Sequence, residues 1–194
     1  YPLVSVIAHR LEDYIETEKD LHQAIIVDVQ KFLDRMRDVI EGQLGADDPK
    51  TAEIVRALPV KRAGFDIDDM QVLDVEVMTV MPKGTATTIV EKELRACGYR
   101  VSNVEDPIQA LVYAVRTKPD MVMASGVLPG LSGVDLACAF NAMPVTKDIP
   151  VVLFTSFDRG HKSLVALPEA VPIVKKGGTF SEDLANALFD SGLT

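Results

Sequence analysis

From residue 74 onward, short β-rich runs alternate with helical patterns. VEVMTV precedes TTIVEKELRAC, YRVSNV precedes PIQALVYAVRT, DMVMAS precedes GVDLACAFNAM, IPVVLFTS precedes HKSLVALP, and VPIVKK precedes SEDLANALFD. This alternation constrains the fold more than any other feature. Each strand–helix–strand step in one sheet needs a right-handed crossover, and five such units in about 120 residues predict a doubly wound, five-stranded parallel α/β fold. The run at Pro150–Phe154 is apolar on both faces, as a central strand covered by helices on both sides must be. In such folds ligands bind beyond the carboxyl ends of the strands, so a site is expected among the residues that follow each run.

The first 45 residues follow a different period. Apolar residues recur three and four apart, at Val4, Ile7, Leu11 and Tyr14, then at Ile25, Val29, Phe32, Met36 and Val39. That is the spacing of amphipathic helices. Acidic residues fill the opposite faces, and the polar TEKD near residue 17 predicts a break between two antiparallel helices. Residues 1–45 therefore read as an α-helical hairpin. Residues 46–72 carry Gly, Pro and clustered acids and read as a connector with one short helix around Thr51–Leu58. Residues 73–194 form the α/β domain. Two helices alone bury too little surface to be stable, so the stripe Ile25, Val29, Phe32, Met36 and Val39 is expected to need a partner. A homodimer closing into a four-helix bundle covers it with no further chain. Upstream helices, or the chain's own α/β domain, are the other possible covers.

Composition narrows the partners. Lys and Arg total 20 against 29 Asp and Glu, a net charge of −9, which disfavours nucleic acid and anionic membrane surfaces. No apolar run reaches the roughly 18–20 residues of a membrane span and no signal peptide is visible, so a cytoplasmic location is expected. Tyr1 is not a methionine, and the sequence is expected to begin inside a longer chain. Cys97 and Cys138 lie in the apolar stretches ELRACGY and VDLACAF and are expected to be buried thiols in a reducing compartment. Their spacing is not that of a zinc site, which needs clustered ligands, and His9, His22 and His161 are scattered. No metal and no cofactor are expected.

Within the α/β segment, ACGYRV, EDPIQAL, KPDMVMASGVLPGLSG, KDIPVVLFTS and IVKKGGTFSEDL follow in order. Over residues 75–190 they resemble the CheY-like receiver domain of two-component response regulators. The resemblance implies a (βα)5 fold and a site built of five groups. Two carboxylates after the first strand and an aspartate after the third hold a divalent cation through oxygen, and the aspartate is the nucleophile toward phosphorus. A hydroxyl after the fourth strand senses the phosphoryl group and a lysine after the fifth neutralises it. Carried onto this sequence, the acidic pair falls on Met81 and Pro82 and the phosphoacceptor on Ser125. The hydroxyl falls on Thr155 and the lysine on Lys175, with Lys176 one register away. Thioether and proline do not coordinate magnesium, and serine without an adjacent base is a poor nucleophile at neutral pH. The resemblance thus implies a pseudo-receiver that retains Thr155 and Lys175 as switch-site residues. A turn-capping Thr155 and an ordinary surface Lys175 are the plain alternatives. The segment between Thr155 and Lys175 is short for the family and Pro168 should stop its helix early, so the signalling face is expected to be remodelled.

The helix VIAHRLEDYIE resembles the later helices of histidine phosphotransfer (Hpt) domains. The phosphohistidine of that family is followed by Leu, Lys and Gly, whereas His9 is followed by Arg10, Leu11, Glu12 and Asp13. Two carboxylates beside a phosphohistidine repel phosphate. His9 is therefore read as a packing residue, and any acceptor histidine would lie upstream of Tyr1.

Together these features predict a non-enzymatic two-component signalling protein. It is expected to act by protein–protein interaction with a histidine kinase, a phosphotransfer protein or another response regulator. A phosphorelay component transferring through a histidine outside this sequence, or through His9, is the alternative. A flavodoxin-like small-ligand binder is a third reading, because the Gly/Thr-rich PKGTATT after the first strand has the composition of a phosphate cradle. Against it, the absence of Trp and the presence of only four Tyr leave few residues to stack on a flavin ring.

Overall fold

Three helices close on one another near the start of the chain in a computed structural model, which describes residues 2–16, 23–42, 50–59 and 74–193. They are α1 (Pro2–Glu16), α2 (Gln23–Glu41) and α3 (Lys50–Arg56). All three lie in the first of two units, Tyr1–Asp66 and Ile67–Thr194. The TEKD segment and His22 lie outside the described residues, as do residues 46–49 and 60–72 of the expected connector. Leu3, Val6 and Ile7 of α1, Ile25, Phe32 and Val39 of α2, and Val55 and Leu58 in and just after α3 form the buried interior of this unit. The Tyr14 and Phe32 rings lie 5.5 Å apart, and the Tyr14 hydroxyl donates to Asp28 Oδ2 at 2.6 Å.

This interior corrects the expectation that the α2 stripe waits for a second chain. Ile25, Phe32 and Val39 are buried in the single chain, whereas Val29 and Met36 are only half-buried. The physical reason is the helical repeat. Residues seven apart fall almost in line after two turns, so 25, 32 and 39 form one row that faces the unit's own interior. Val29 and Met36 sit beside that row. The short helix α3, which packs on α1, adds the apolar cover that two helices lacked.

The second unit holds strands β1 (Glu76–Val80), β2 (Arg100–Val104), β3 (Met121–Ser125), β4 (Val151–Thr155) and β5 (Ile173–Lys175). All pair in parallel, in the order β2-β1-β3-β4-β5. Helices α4 (Thr85–Ala96), α5 (Pro107–Thr117), α6 (Gly133–Ala142) and α7 (Phe180–Asp190) flank the sheet. Alternate strand residues feed two separate cores, as the two-residue repeat of a strand requires. Val80, Val122, Ala124 and Leu153 meet Ala110 and Ala114 of α5 and Leu136 and Phe140 of α6. Val77, Met121, Met123, Val152 and Phe154 meet Val90 and Leu94 of α4 and Leu184 and Leu188 of α7. All five residues of β1, β3 and β4 are buried, in agreement with the doubly apolar run read at Pro150–Phe154. The strand order reverses between β1 and β3, which opens a crevice at their carboxyl ends.

Two expectations for this unit change. The helix foreseen in HKSLVALP shrinks to a single 3-10 turn, Lys162–Leu164. Pro168 ends the run, and the Arg159 guanidinium ties the chain that replaces it, donating to the carbonyls of Pro168 at 3.1 Å, Glu169 at 3.3 Å, and Val171. The cysteines are not a buried pair. Cys97 is exposed just past the last turn of α4, and Cys138 is half-buried with its thiol donating to the Ala166 carbonyl at 3.2 Å.

Candidate functional site at the carboxyl edge of the sheet

The sheet brings the residues singled out in the sequence to one edge. Met81 follows β1, Ser125 ends β3, Thr155 ends β4 and Lys175 ends β5. Thr155 and Lys175 are register partners, and Ser125 pairs with Phe154. The loop after β3 is tightly seated. A Cβ on Gly126 would lie 3.1 Å from the Thr155 side chain, and one on Gly133 would lie 2.2 Å from the Ser125 carbonyl oxygen. Glycine at 133 is what lets α6 start directly against the end of β3. Ser132 caps that helix through a reciprocal pair with Asp135: the Asp135 amide donates to Ser132 Oγ at 3.1 Å and the Ser132 amide donates to Asp135 Oδ2 at 3.0 Å. Asp135 is held below the usual carboxylate range by the Ser132 hydroxyl and amide.

The chemistry available at this edge is modest. Met81 and Ser125 are buried, at 1% and 4% exposure. The Met81 backbone is consumed by β2, its amide donating to the Val104 carbonyl at 3.2 Å and its carbonyl accepting from the Asn103 side chain at 3.1 Å. The Thr155 hydroxyl accepts from the Phe157 amide at 3.3 Å, so it caps the turn after β4. Lys175 Nζ is hydrogen-bonded to the carboxylate of Asp158. That bond raises the Lys175 ammonium above its ordinary value and lowers the Asp158 carboxyl below its own. The Lys175 amide donates to Asp183 Oδ2 of α7 at 3.0 Å, which fixes the strand end. Lys176 lies elsewhere, its Nζ 5.0 Å from the centre of the Phe154 ring.

A divalent cation, which the receiver resemblance implies, requires several hard oxygen ligands. A buried thioether, a proline and a buried serine do not provide them, and among the described residues no three His, Cys, Asp or Glu side chains cluster to hold a metal. The donor set therefore does not fit the ion.

In the PKGTATT loop two threonine hydroxyls are taken up by backbone carbonyls. The Thr87 hydroxyl donates to the Pro82 carbonyl at 2.6 Å and the Thr88 hydroxyl donates to the Gly84 carbonyl at 3.2 Å. Both face the backbone. Lys83 pairs with Glu105 at 3.9 Å. In the first unit His9 is half-buried rather than packed inside, with Glu12 at 3.9 Å and Asp13 at 3.7 Å along the same helix. His161 Nδ1 accepts from the Ser163 amide at 3.2 Å, and its ring stacks on Phe157 at 3.9 Å. The residue that sequence reasoning passed over is Asp158. Its signal is a lone carboxylate in SFDRG, just beyond Thr155, on the turn that leads back toward the strand bearing Lys175.

The α/β unit has the CheY-like receiver fold: a parallel sheet ordered 2-1-3-4-5 with its crevice at the carboxyl edge. The comparisons agree. No protein-family model matches the chain. The response regulator PleD of Caulobacter vibrioides is 36% identical over 75 residues, 38% of this chain and 16% of the relative. The phosphate regulon transcriptional regulatory protein PhoB of Pseudomonas aeruginosa is 35% identical over 63 residues, 32% of this chain and 28% of the relative. The chain thus spans well under half the length of these curated relatives. Among solved structures, the receiver domain of the sensor histidine kinase PA1611 of P. aeruginosa, with a magnesium ion coordinated in its active site cleft, superposes with a TM-score of 0.54 at 23% identity. That match covers 61% of this chain and 98% of the other. The chemotaxis response regulator CheY4 of Vibrio cholerae matches with a TM-score of 0.53 at 19% identity, covering 60% of this chain and 98% of the other.

Proposed function

We propose that the chain is a non-enzymatic two-component signalling protein whose receiver-fold domain works by protein contact and not by accepting a phosphoryl group. The observation that carries this reading is the donor set at the carboxyl edge. Met81 and Pro82 stand where a receiver needs two acids, and buried Ser125 stands where it needs the acceptor aspartate. Lys175, the group that would neutralise a phosphoryl oxygen, is already answered by Asp158. A sheet edge whose lysine is answered by its own chain suits a constitutive docking module. Its partners are a histidine kinase, a phosphotransfer protein or another response regulator, and its compartment is the cytoplasm. The chain acts as a homodimer joined through its helical unit.

The test is a magnesium titration of the full chain followed by calorimetry and by thermal melting at matched ionic strength. A cation bound only by the native state stabilises it by RT ln(1 + [L]/Kd), about 2.7 kcal/mol at a hundredfold excess over Kd. We expect no binding heat and no shift at ten millimolar, an excess of roughly that size for a site of about 0.1 mM affinity. A specific shift, abolished by substituting an acid near the sheet edge, would refute the reading.

A further inference from the structure

The helical unit carries a second apolar face that its own interior leaves uncovered. On α2 it runs through Ile26, Val29, Leu33, Met36 and Ile40, spaced 3-4-3-4. Ile26, Leu33 and Ile40 are exposed at 43%, 50% and 45%, and Val29 and Met36 are half-buried. On α1 a parallel row runs through Val4, Ala8, Leu11 and Ile15, spaced 4-3-4, with Ala8 and Ile15 exposed. Sustained 3-4 alternation is the signature of a helix seam that meets another helix.

The two rows share one side of the hairpin. Tyr14 near the end of α1 touches Asp28 and Phe32 in the first half of α2, so the helices run antiparallel. At 3.6 residues per turn, the open row lies about 110° around α1 and about 80° around α2 from the buried row, in the same rotational sense. Antiparallel helices reverse that sense, so both rows turn to the same flank. Neither row contains a charge.

We infer that this face is the homodimer interface and that its occupant is the same face of a second copy. The inference rests on the homodimer reading above and replaces the surface expected from sequence. A two-fold axis parallel to the helices lays α1 of one copy antiparallel across α2 of the other and completes a four-helix bundle. The flanks favour this arrangement. Glu12 borders the row on α1 and Arg37 borders it on α2, both exposed. Crossing α1 over α2 places opposite charges along the same rim, whereas stacking like helices does not. A face roughly 25 Å long and two interaxial spacings, about 19 Å, wide gives about 950 Å² for two copies, at the ~1,000 Å² a specific interface should clear and below the ~1,200–2,000 Å² of stable ones, which fits a small interface. On each copy the face is about 475 Å², within the ~300–600 Å² of the largest apolar patch on a typical monomer, a patch that is often functional.

Sedimentation equilibrium of the full chain tests this with Leu33→Glu, Ile26→Glu, Arg37→Glu and the double exchange of Glu12→Arg with Arg37→Glu. Leu33 and Ile26 are exposed in the single chain, so these variants keep their helicity. We expect a dimer whose dissociation constant rises at least roughly 100-fold in Leu33→Glu and Ile26→Glu. It should rise less in Arg37→Glu and recover in the double exchange. A dimer indifferent to Leu33→Glu and Ile26→Glu overturns this face while leaving the homodimer intact. Failure of the double exchange to recover overturns the α1-across-α2 arrangement. A wild-type chain that stays monomeric up to 100 micromolar, about ten times the weakest Kd such a dimer would need to be populated, overturns the homodimer reading itself.

Discussion

Lys175 and Asp158 pair across the carboxyl edge of the sheet, joining the end of β5 to the turn beyond β4. In a receiver the lysine at such an edge answers a phosphoryl group. Here it answers a carboxylate of its own chain.

The pair titrates in a defined direction. Asp158 is held below its ordinary value of 3.8 by the hydrogen bond from Lys175. Its contribution to stability is therefore complete above that value and is lost as pH falls through the lowered folded value. Lys175 is raised above 10.5, so its contribution is complete below 10.5 and is lost as pH rises through the raised folded value. Both groups face solvent, so the effect on stability is small. Carboxyl-detected NMR should give Asp158 a midpoint below 3.8 that returns to the ordinary range in Lys175→Met. A midpoint at or above 3.8 in the wild type would contradict the pairing.

Gly133 should not tolerate a side chain. The Cβ of Gly133→Ala would meet the Ser125 carbonyl oxygen at 2.2 Å and Leu153 Cδ1 at 2.8 Å, and the first of these is backbone that cannot rotate away. We expect a loss of about 1–3 kcal/mol in urea unfolding of the α/β unit. Gly84→Ala, with open space around it, should stay within about 0.5 kcal/mol of wild type. Equal behaviour of the two variants would show that α6 does not sit as closely on β3 as described.

Arg159 holds the segment that replaces a receiver helix. Removing it in Arg159→Ala frees the carbonyls of Pro168, Glu169 and Val171. Amide exchange should quicken across residues 162–171 while β1, β3 and β4 keep their protection. Unchanged exchange in that segment would mean the 3-10 turn is held by its apolar residues, Leu164 and Leu167, alone.

Neighbouring positions on α2 should behave oppositely. Phe32 is 1% exposed and stacked near Tyr14, so Phe32→Ala should destabilise the helical unit by about 3–5 kcal/mol. Leu33→Ala, at a position open in the single chain, should cost the isolated fold less than about 1 kcal/mol. A similar cost at both positions would mean that Leu33 is covered by the chain itself.

These two residues also explain how far the sequence could be read. The sheet was legible because β1, β3 and β4 are buried on both faces and so appear as short, largely apolar runs bounded by turns. The hairpin was legible as helix, but its faces were not. Two rows, one through residues 25, 32 and 39 and one through 26, 33 and 40, lie side by side on α2. A single 3-4 count therefore joins Val29 and Met36 to the wrong row. Which row points inward depends on α1 and α3, and that is information no local period contains. The Lys175–Asp158 pair was hidden for the same reason, since 17 residues separate the partners. That Met81, Pro82 and Ser125 fall at strand ends was legible because strand ends are marked by the same apolar runs that build the sheet.

The central claim is that this receiver fold does not accept a phosphoryl group, and intact-mass spectrometry of the full chain tests it most directly. The protein is incubated with acetyl phosphate and magnesium beside a receiver domain known to be phosphorylated under the same conditions. The account predicts no mass gain on this chain while the control gains one phosphoryl group. A stoichiometric gain that maps to residues 74–193 would contradict it.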